Sequence, residues 1–369
     1  MQGGTAVRTW RVWGSPESAE PDLSRLMSVA DDPGRPATAS LEVPWLLRTA
    51  QLRAHRVSRA AATRGELVSM MHGIWGLPGV QASDADARIA AAALRLVPDC
   101  VIGGWAAARL FERAADPDSE ATVFTGEAWH EHRAQDRRDL GETACARVLV
   151  CAPRTARLRP GEHARVFRSV VRADEWTVVD GIPVTTPVRT AFDLARLWRQ
   201  PAAVVAVDRL VHLGVVDLAE TRALTVARHR WRGRPSALQV LDRVDGGAES
   251  PQESALRMLW LDAGLPRPRC NPVVRDPDGA FVARVDLLDP DLGVVGEYDG
   301  AHHASAERRG DDARRQQALD ELGLVVVRAT AADLATEQAA SAWQRRLRRA
   351  YRRQRVRPDR VRRWHVTTL

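Results

Sequence analysis

The stretch that decides the reading runs from Ala280 to Gly300, AFVARVDLLDPDLGVVGEYDG. Apolar residues run through Phe281 to Leu288, Asp289-Pro290 breaks the run, and a second strand pattern covers Val294 to Asp299. Glu297 and Asp299 stand two apart in that second strand, so both project to one face. Asp286 lies at the end of the preceding antiparallel strand. Three carboxylates meeting in and beside an apolar sheet repel one another and are costly to desolvate unless a positive group sits among them. A hard divalent cation, Mg2+ or Mn2+, meets that need, because it takes one or two carboxylates and keeps room for water and phosphate oxygens.

Working outward, Ser250-Pro251-Gln252-Glu253 opens a helix whose apolar face is Leu256, Leu259, Trp260 and Ala263, with Gly264 as its stop. Glu253, third after Ser250, is fully accounted for as the partner in a capping box, a role compatible with a place in the carboxylate group. A strand at PVVRD and a Pro277-Asp278-Gly279 turn lead into the deciding stretch. After it come the polar loop GAHHAS, a helix from about Glu307 to Leu322, Gly323 as its C-terminal glycine, strand LVVVR and a last helix. The order is αβββαβ over residues 250–342. Asp299-Gly300 also reads as an ordinary turn and His302 as a solvated loop residue. Glu297 is different: it follows Val294-Val295-Gly296 in a strand that should be central, where a lone carboxylate needs a partner.

EYDG followed by His303, Asp312, Arg315, Leu319, Gly323 and Arg328 resembles the very-short-patch-repair (Vsr-like) branch of the PD-(D/E)xK, restriction-endonuclease-like domains, over about ninety residues. The resemblance implies a DNA endonuclease-like activity, phosphodiester hydrolysis, in repair, defence or mobile-element processing. It implies Asp286, Glu297 and Asp299 as metal ligands, with Glu253 as the acid of the first helix. It further implies His303 as a base or phosphate contact, and Asp312 and Arg315 as residues that set the following helix beside the site. Asp299 stands where better-known members carry a lysine. No lysine exists anywhere in the chain.

Nearer the N-terminus, residues 1–40 mix Gly, Ser, Pro and acidic residues without period and read as a poorly ordered leader. From Val43 the text reads helix, turn, helix and a short hairpin from Leu67 to Trp75. Val57, Ser58, Arg59, Gly65, Glu66, Leu67, Gly73, Ile74 and Trp75 resemble the winged helix-turn-helix at the front of abortive-infection (AbiEi-type) antitoxin-like proteins. Here only six residues separate Ser58 from Gly65, about one helical turn fewer than usual. Residues 81–246 read as a mixed α+β middle domain, with helices at DADARIAAAALRLV and GWAAARLFERA and strands at ATVFT, ARVLVCA, HARVFRSVV and WTVVDGIPV. In TTPVRTAFDLARLW, Thr186 is an N-cap, Pro187 the first helical residue, and Arg189 and Asp193 form an i,i+4 pair read as a structural ion pair. This stretch also resembles the middle of the same antitoxin-like proteins.

Charge is uneven along the chain. Residues 251–344 hold 10 Arg against 16 Asp and Glu, whereas 345–369 hold 11 Arg against Asp359 alone. An acidic module thus runs into a basic helical tail at 343–369, whose Arg345, Arg346, Arg349 and Arg353 are candidates for nucleic-acid contact together with Arg315 and Arg328. Cys100, Cys145, Cys151 and Cys270 fit neither a zinc set nor a disulfide framework. No stretch is apolar enough to span a membrane, so a cytoplasmic protein acting on nucleic acid, most simply DNA, is expected. The expected fold class is α+β multidomain: a small winged-helix-like module at 41–80, the middle domain, and the αβββαβ restriction-endonuclease-like domain. A non-catalytic, DNA-binding antitoxin-like transcriptional regulator is the alternative function, and a protein-interaction scaffold a third.

Overall fold

The computed structural model describes residues 46–52, 57–58, 60, 64, 66–117, 122–127, 146–161, 163–300, 306–357 and 363–367. The leader, Arg59, Gly65, Cys145, His302 and His303 lie outside them. The chain divides into two compact units, one of residues 1–199 and 219–232, the other of 200–218 and 233–369. The division runs through the helices after residue 199, upstream of the boundary at 246 read from composition.

The first unit opens with β1 (Leu46–Arg48), the short α1 (Thr49–Leu52), β2 (Val68–Met71) and β3 (Ile74–Gly76). The expected hairpin is there, but Leu46–Arg48, expected as helix, is a strand paired antiparallel with β3. Leu46 and Leu47 are buried and Arg48 exposed, so tertiary packing overrides their helical pattern. Next come α2 (Ala85–Leu94), capped by Asp84, then β4 (Val101–Gly103), α3 (Gly104–Ala115), β5 (Val148–Ala152), β6 (Ala164–Arg168), β7 (Trp176–Val179) and β8 (Ile182–Thr185). They build a five-stranded sheet ordered β6-β5-β4-β8-β7. Asp180 and Gly181 both take positive φ, as a two-residue hairpin turn requires. Residues 122–125, expected as a strand, join no sheet, and the short central β4 was missed between two strong helical patterns. Then α4 (Pro187–Leu197) starts as the sequence indicates, with the Thr186 hydroxyl accepting from Arg189 N.

The second unit takes α5 (Ala202–His212) and α7 (Arg234–Leu241), while α6 (Leu218–Ala227) falls almost wholly in the first. It continues with α8 (Pro251–Asp262), β9 (Arg269–Cys270), β10 (Val273–Arg275), β11 (Phe281–Arg284), β12 (Leu287–Asp289) and β13 (Val294–Asp299). The last elements are α9 (Ala306–Glu321), β14 (Val325–Thr330), α10 (Ala331–Ala335), α11 (Glu337–Arg355) and β15 (His365–Thr367). Between α8 and α9 stand five strands where the αβββαβ order expected three. The long strand read over 280–288 is two strands in two sheets: β12 in the sheet β14-β13-β12-β9, and β11 in a small sheet β11-β10-β15. Val285 and Asp286 make the step between them. One face of the larger sheet packs on α8 and α11 through Leu287, Val294, Val327, Trp260, Trp343 and Leu347. Its other face meets the small sheet and α9 through Leu288, Val295, Val274, Leu319 and Trp364.

The basic tail is part of this body. Trp343, Leu347, Ala350 and Tyr351 are core residues, and β15 pairs antiparallel with β10. The Tyr351 hydroxyl donates to Asp289 Oδ2 at 2.7 Å, while Asp289 Oδ1 accepts from Asp291 N and Leu292 N, each at 2.9 Å. Burial of that aspartate is therefore fully compensated.

Candidate functional site

The antiparallel ladder of β12 and β13 pairs Leu287 with Gly296 and Leu288 with Val295. One step further it brings Asp286 across from Glu297. Leu288 and Val295 pack toward α9 whereas Leu287 and Val294 pack toward α8, so alternation puts Asp286 and Glu297 on the α9 face together. Asp286 Oδ2 accepts from Tyr298 N at 2.7 Å, which ties the carboxylate to the neighbouring strand. Its carboxyl is pushed up to about 6, first by burial and then by Glu253 and Glu297 nearby; the Tyr298 N–H and Arg315 act in the opposite direction.

Glu297 is buried in the sheet and is held by a guanidinium fork. Arg315 Nη1 reaches Oε2 at 3.3 Å and Nη2 bonds to Oε1, while Nη2 also donates to the Arg284 carbonyl at 2.8 Å. Arg328, next to Glu297 on β14, brings Nε to 3.9 Å from Oε2. Glu253 caps α8 as its spacing indicates: Glu253 N donates to Ser250 Oγ at 3.1 Å, and the carboxylate accepts from Ser250 Oγ and Glu249 N, both at 2.9 Å. It also accepts from Asn271 Nδ2 at 2.5 Å, and Asn271 N donates to the Asp286 carbonyl at 2.8 Å. Asn271, at φ 48°, thereby links helix cap and strand switch, and no motif in the sequence pointed to it.

Asp299 ends β13 in an exposed position, and His303 lies outside the described residues. Among the described residues no three His, Cys, Asp or Glu side chains come together as a group able to hold a metal ion. The expected meeting of Asp286, Glu297 and Asp299 is thus corrected: the acids whose charges reach Asp286 are Glu253 and Glu297. The physical requirement, a positive charge beside a buried Glu297, is met by Arg315. The remaining donors are hard carboxylate oxygens of the kind Mg2+ takes, but both oxygens of Glu297 already accept from an arginine.

The other predicted nucleic-acid residues divide in two. Arg315 is spent on Glu297, Arg328 also donates to Gln316 Oε1 at 3.1 Å, and Arg346 bonds Asp333 Oδ1 at 2.9 Å and the Arg328 carbonyl at 3.1 Å. Asp312 is exposed on α9. Arg345, Arg349 and Arg353 are exposed on α11.

In the first unit, Arg189 and Asp193 form the expected ion pair, with Nε to Oδ2 at 3.0 Å and neither side chain exposed. The pair belongs to a larger buried cluster. Arg189 Nη1 bonds Glu175 Oε2 at 3.0 Å and Nη2 bonds Ser169 Oγ at 2.9 Å, Arg196 Nε bonds Asp193 Oδ1 at 2.7 Å, and Arg228 pairs with Glu175. Trp231 packs against three of these guanidiniums, those of Arg189, Arg196 and Arg228, at 4.7, 5.2 and 4.9 Å from its ring centre. Burial and the 3_10 turn ending at Glu175 bring these distant residues together, and only the i,i+4 spacing was legible beforehand.

Residues 121–240 match the model of the AbiEi antitoxin C-terminal domain. The match falls on the middle region and leaves the front segment, residues 43–80, outside it. Two uncharacterized proteins of Mycobacterium tuberculosis, from strains CDC 1551 / Oshkosh and ATCC 25618 / H37Rv, are each 31% identical over 150 residues. That covers 40% of this chain and 55% of each relative, so the chain spans about half the length of the curated relatives it matches. No solved structure matches. No described helix is long and apolar enough to cross a membrane.

Proposed function

We propose that this protein is a nucleic-acid-binding regulator of the antitoxin-like kind. The observation that carries the reading is the match of residues 121–240 to the AbiEi antitoxin C-terminal domain. An arginine-rich surface on the second unit and a formal charge of +7 suit a polyanionic partner, DNA being the simplest. The test is a titration of the purified protein into labelled DNA from its own promoter region and into a scrambled duplex, each with EDTA and with Mg2+. Saturable, metal-independent preference for the promoter is the expected result; equal, weak binding to both sequences would remove the regulator reading.

A second reading is favoured by the facing of Asp286 and Glu297 across β12 and β13. On it residues 250–342 form a restriction-endonuclease-like, Vsr-like domain hydrolysing phosphodiesters. Asp286 and Glu297 would hold Mg2+ or Mn2+, with Glu253 near Asp286 and His303 as base or phosphate contact. The ion, when bound, would polarise a phosphate and acidify a water. Within this chain, Tyr298 N fixes the Asp286 carboxylate and Arg315 orients that of Glu297. Nicking of supercoiled plasmid with Mn2+, lost in Asp286→Ala, is the expected outcome; equal nicking by both proteins would exclude this site as its source.

A further inference from the structure

The exposed face of α11 is a cationic surface, and neither reading says how it engages a partner. With about 3.6 residues per turn, Trp343, Leu347, Ala350, Tyr351 and Gln354 fall on one stripe, and all five are buried. The opposite face carries Arg345, Arg349, Arg352 and Arg353, flanked by Arg348 and Arg355, and every one of these is exposed. Two neighbouring arginines are tethered: Arg346 holds Asp333, and Arg348 Nε donates to the Ala263 carbonyl at 3.2 Å. Among the described residues, no carboxylate pairs with Arg345, Arg349, Arg352 or Arg353, and the helix's single acid, Glu337, lies at its far N-terminal end. Four like charges on neighbouring turns of one helix repel, so isolated helix energetics do not explain the arrangement. The buried stripe holds it in place.

We propose that this face of α11 docks the phosphate backbone of a nucleic-acid duplex without reading its bases. From Arg345 to Arg353 the helix rises about 12 Å, which spans about three to four phosphates of one strand. Guanidinium forks match phosphate oxygens in pairs, which favours this partner over a merely solvated helix. A single strand is disfavoured, because base stacking needs exposed aromatic rings and this helix buries both of its own, Trp343 and Tyr351. An anionic membrane is disfavoured for a related reason: the apolar residues that would insert are inside the core. The proposal rests on the nucleic-acid-binding reading above and names the surface and the ligand class for it.

The test compares the full chain with the variant Arg345→Gln/Arg349→Gln/Arg352→Gln/Arg353→Gln. Because the four side chains are exposed, the far-ultraviolet circular dichroism and the melting temperature should be unchanged. Binding to a random 20-base-pair duplex, followed by fluorescence anisotropy between 50 and 300 mM NaCl, should weaken at least about tenfold, and the salt slope should fall by about three to four. A control carrying Arg154→Gln, Arg159→Gln, Arg165→Gln and Arg230→Gln, with the same loss of net charge, should keep nearly all of the slope. If the α11 variant retains the wild-type slope, or the control loses as much, this surface is not the dock even though DNA binding stands. A wild-type chain that binds phosphatidylserine vesicles and no duplex at 50 mM NaCl overturns the assignment and the nucleic-acid reading together.

Discussion

At the scale of the residue, Arg315 is the main surprise. A buried glutamate calls for a positive partner, and the chain supplies its own. Arg315→Ala leaves Glu297 in the sheet with Arg328 alone, 3.9 Å away, and should cost about 3 kcal/mol in urea unfolding, the lower end for a broken buried pair because Arg315 is partly exposed. Arg315→Lys keeps the charge but loses the fork and should recover part of that loss. A change below about 0.5 kcal/mol in the alanine variant would mean that Glu297 is not relying on this pair. Asp286 gives a pH prediction with the opposite sign to most carboxylates. Its folded value, about 6, lies above the ordinary 3.8, so the stability tied to its protonated form is present below about 3.8 and is lost as pH rises through about 6. Asp286→Asn removes that dependence while keeping an acceptor for Tyr298 N. Its advantage in melting temperature over the wild type at pH 7.5 should therefore shrink by pH 4.5, from a ceiling of about 3 kcal/mol reduced by the residue's partial exposure. Asp208 is also raised by burial, so the comparison must be with the variant and not with pH alone.

Elements impose a second layer of logic. The helix α4 was readable at its start, from Thr186, Pro187 and the Arg189–Asp193 spacing, but its partners were not. They lie 14 and more residues away, at Glu175, Arg228 and Trp231, and no period connects them. Asp193 accepts from two arginines, so Asp193→Ala removes an acceptor from both in a closed interior and should cost about 3 kcal/mol. Asp193→Asn, which retains one acceptor oxygen, should cost less, and thermal melts of the two variants will show the order. If both melt as the wild type does, the cluster contributes nothing to α4. The strand at 280–288 fails as one element for a comparable reason: alternation is satisfied on both sides of Val285, but Val285 and Asp286 turn the chain from one sheet into another. Only the pairing partners, β10 for one half and β13 for the other, reveal the turn.

Across the whole molecule, charge and core are unevenly shared, and the basic end shows how composition misleads. Eleven arginines after residue 344 look like a detachable tail. Their helix nevertheless buries Leu347, Ala350 and Tyr351, and Trp364 closes the second core cluster. Truncation after Gln344 should therefore unfold or precipitate the second unit, whereas the four exposed Arg→Gln changes should not. A soluble truncated chain with a wild-type circular dichroism spectrum would show that the C-terminal segment is dispensable after all. Deletion is for that reason a poor test of nucleic-acid binding here, and side-chain replacement a good one.

By itself the sequence determined the local elements and the chemistry available to them: the Ser250–Glu253 cap, the glycine stop at Gly323, the acidic β13 strand, the amphipathic α11 and the antitoxin-like middle region. Hydrophobic period, caps and turn residues act over a few neighbours, and so survive in linear text. Tertiary structure alone decided that Leu46–Arg48 is a strand, that residues 280–288 serve two sheets, that Asn271 joins Glu253 to Asp286, and that Arg315 occupies both carboxylate oxygens of Glu297. Each of these depends on which distant group compensates a buried charge or an open strand edge, and that choice is made by the free energy of the packed chain, not by any window of it.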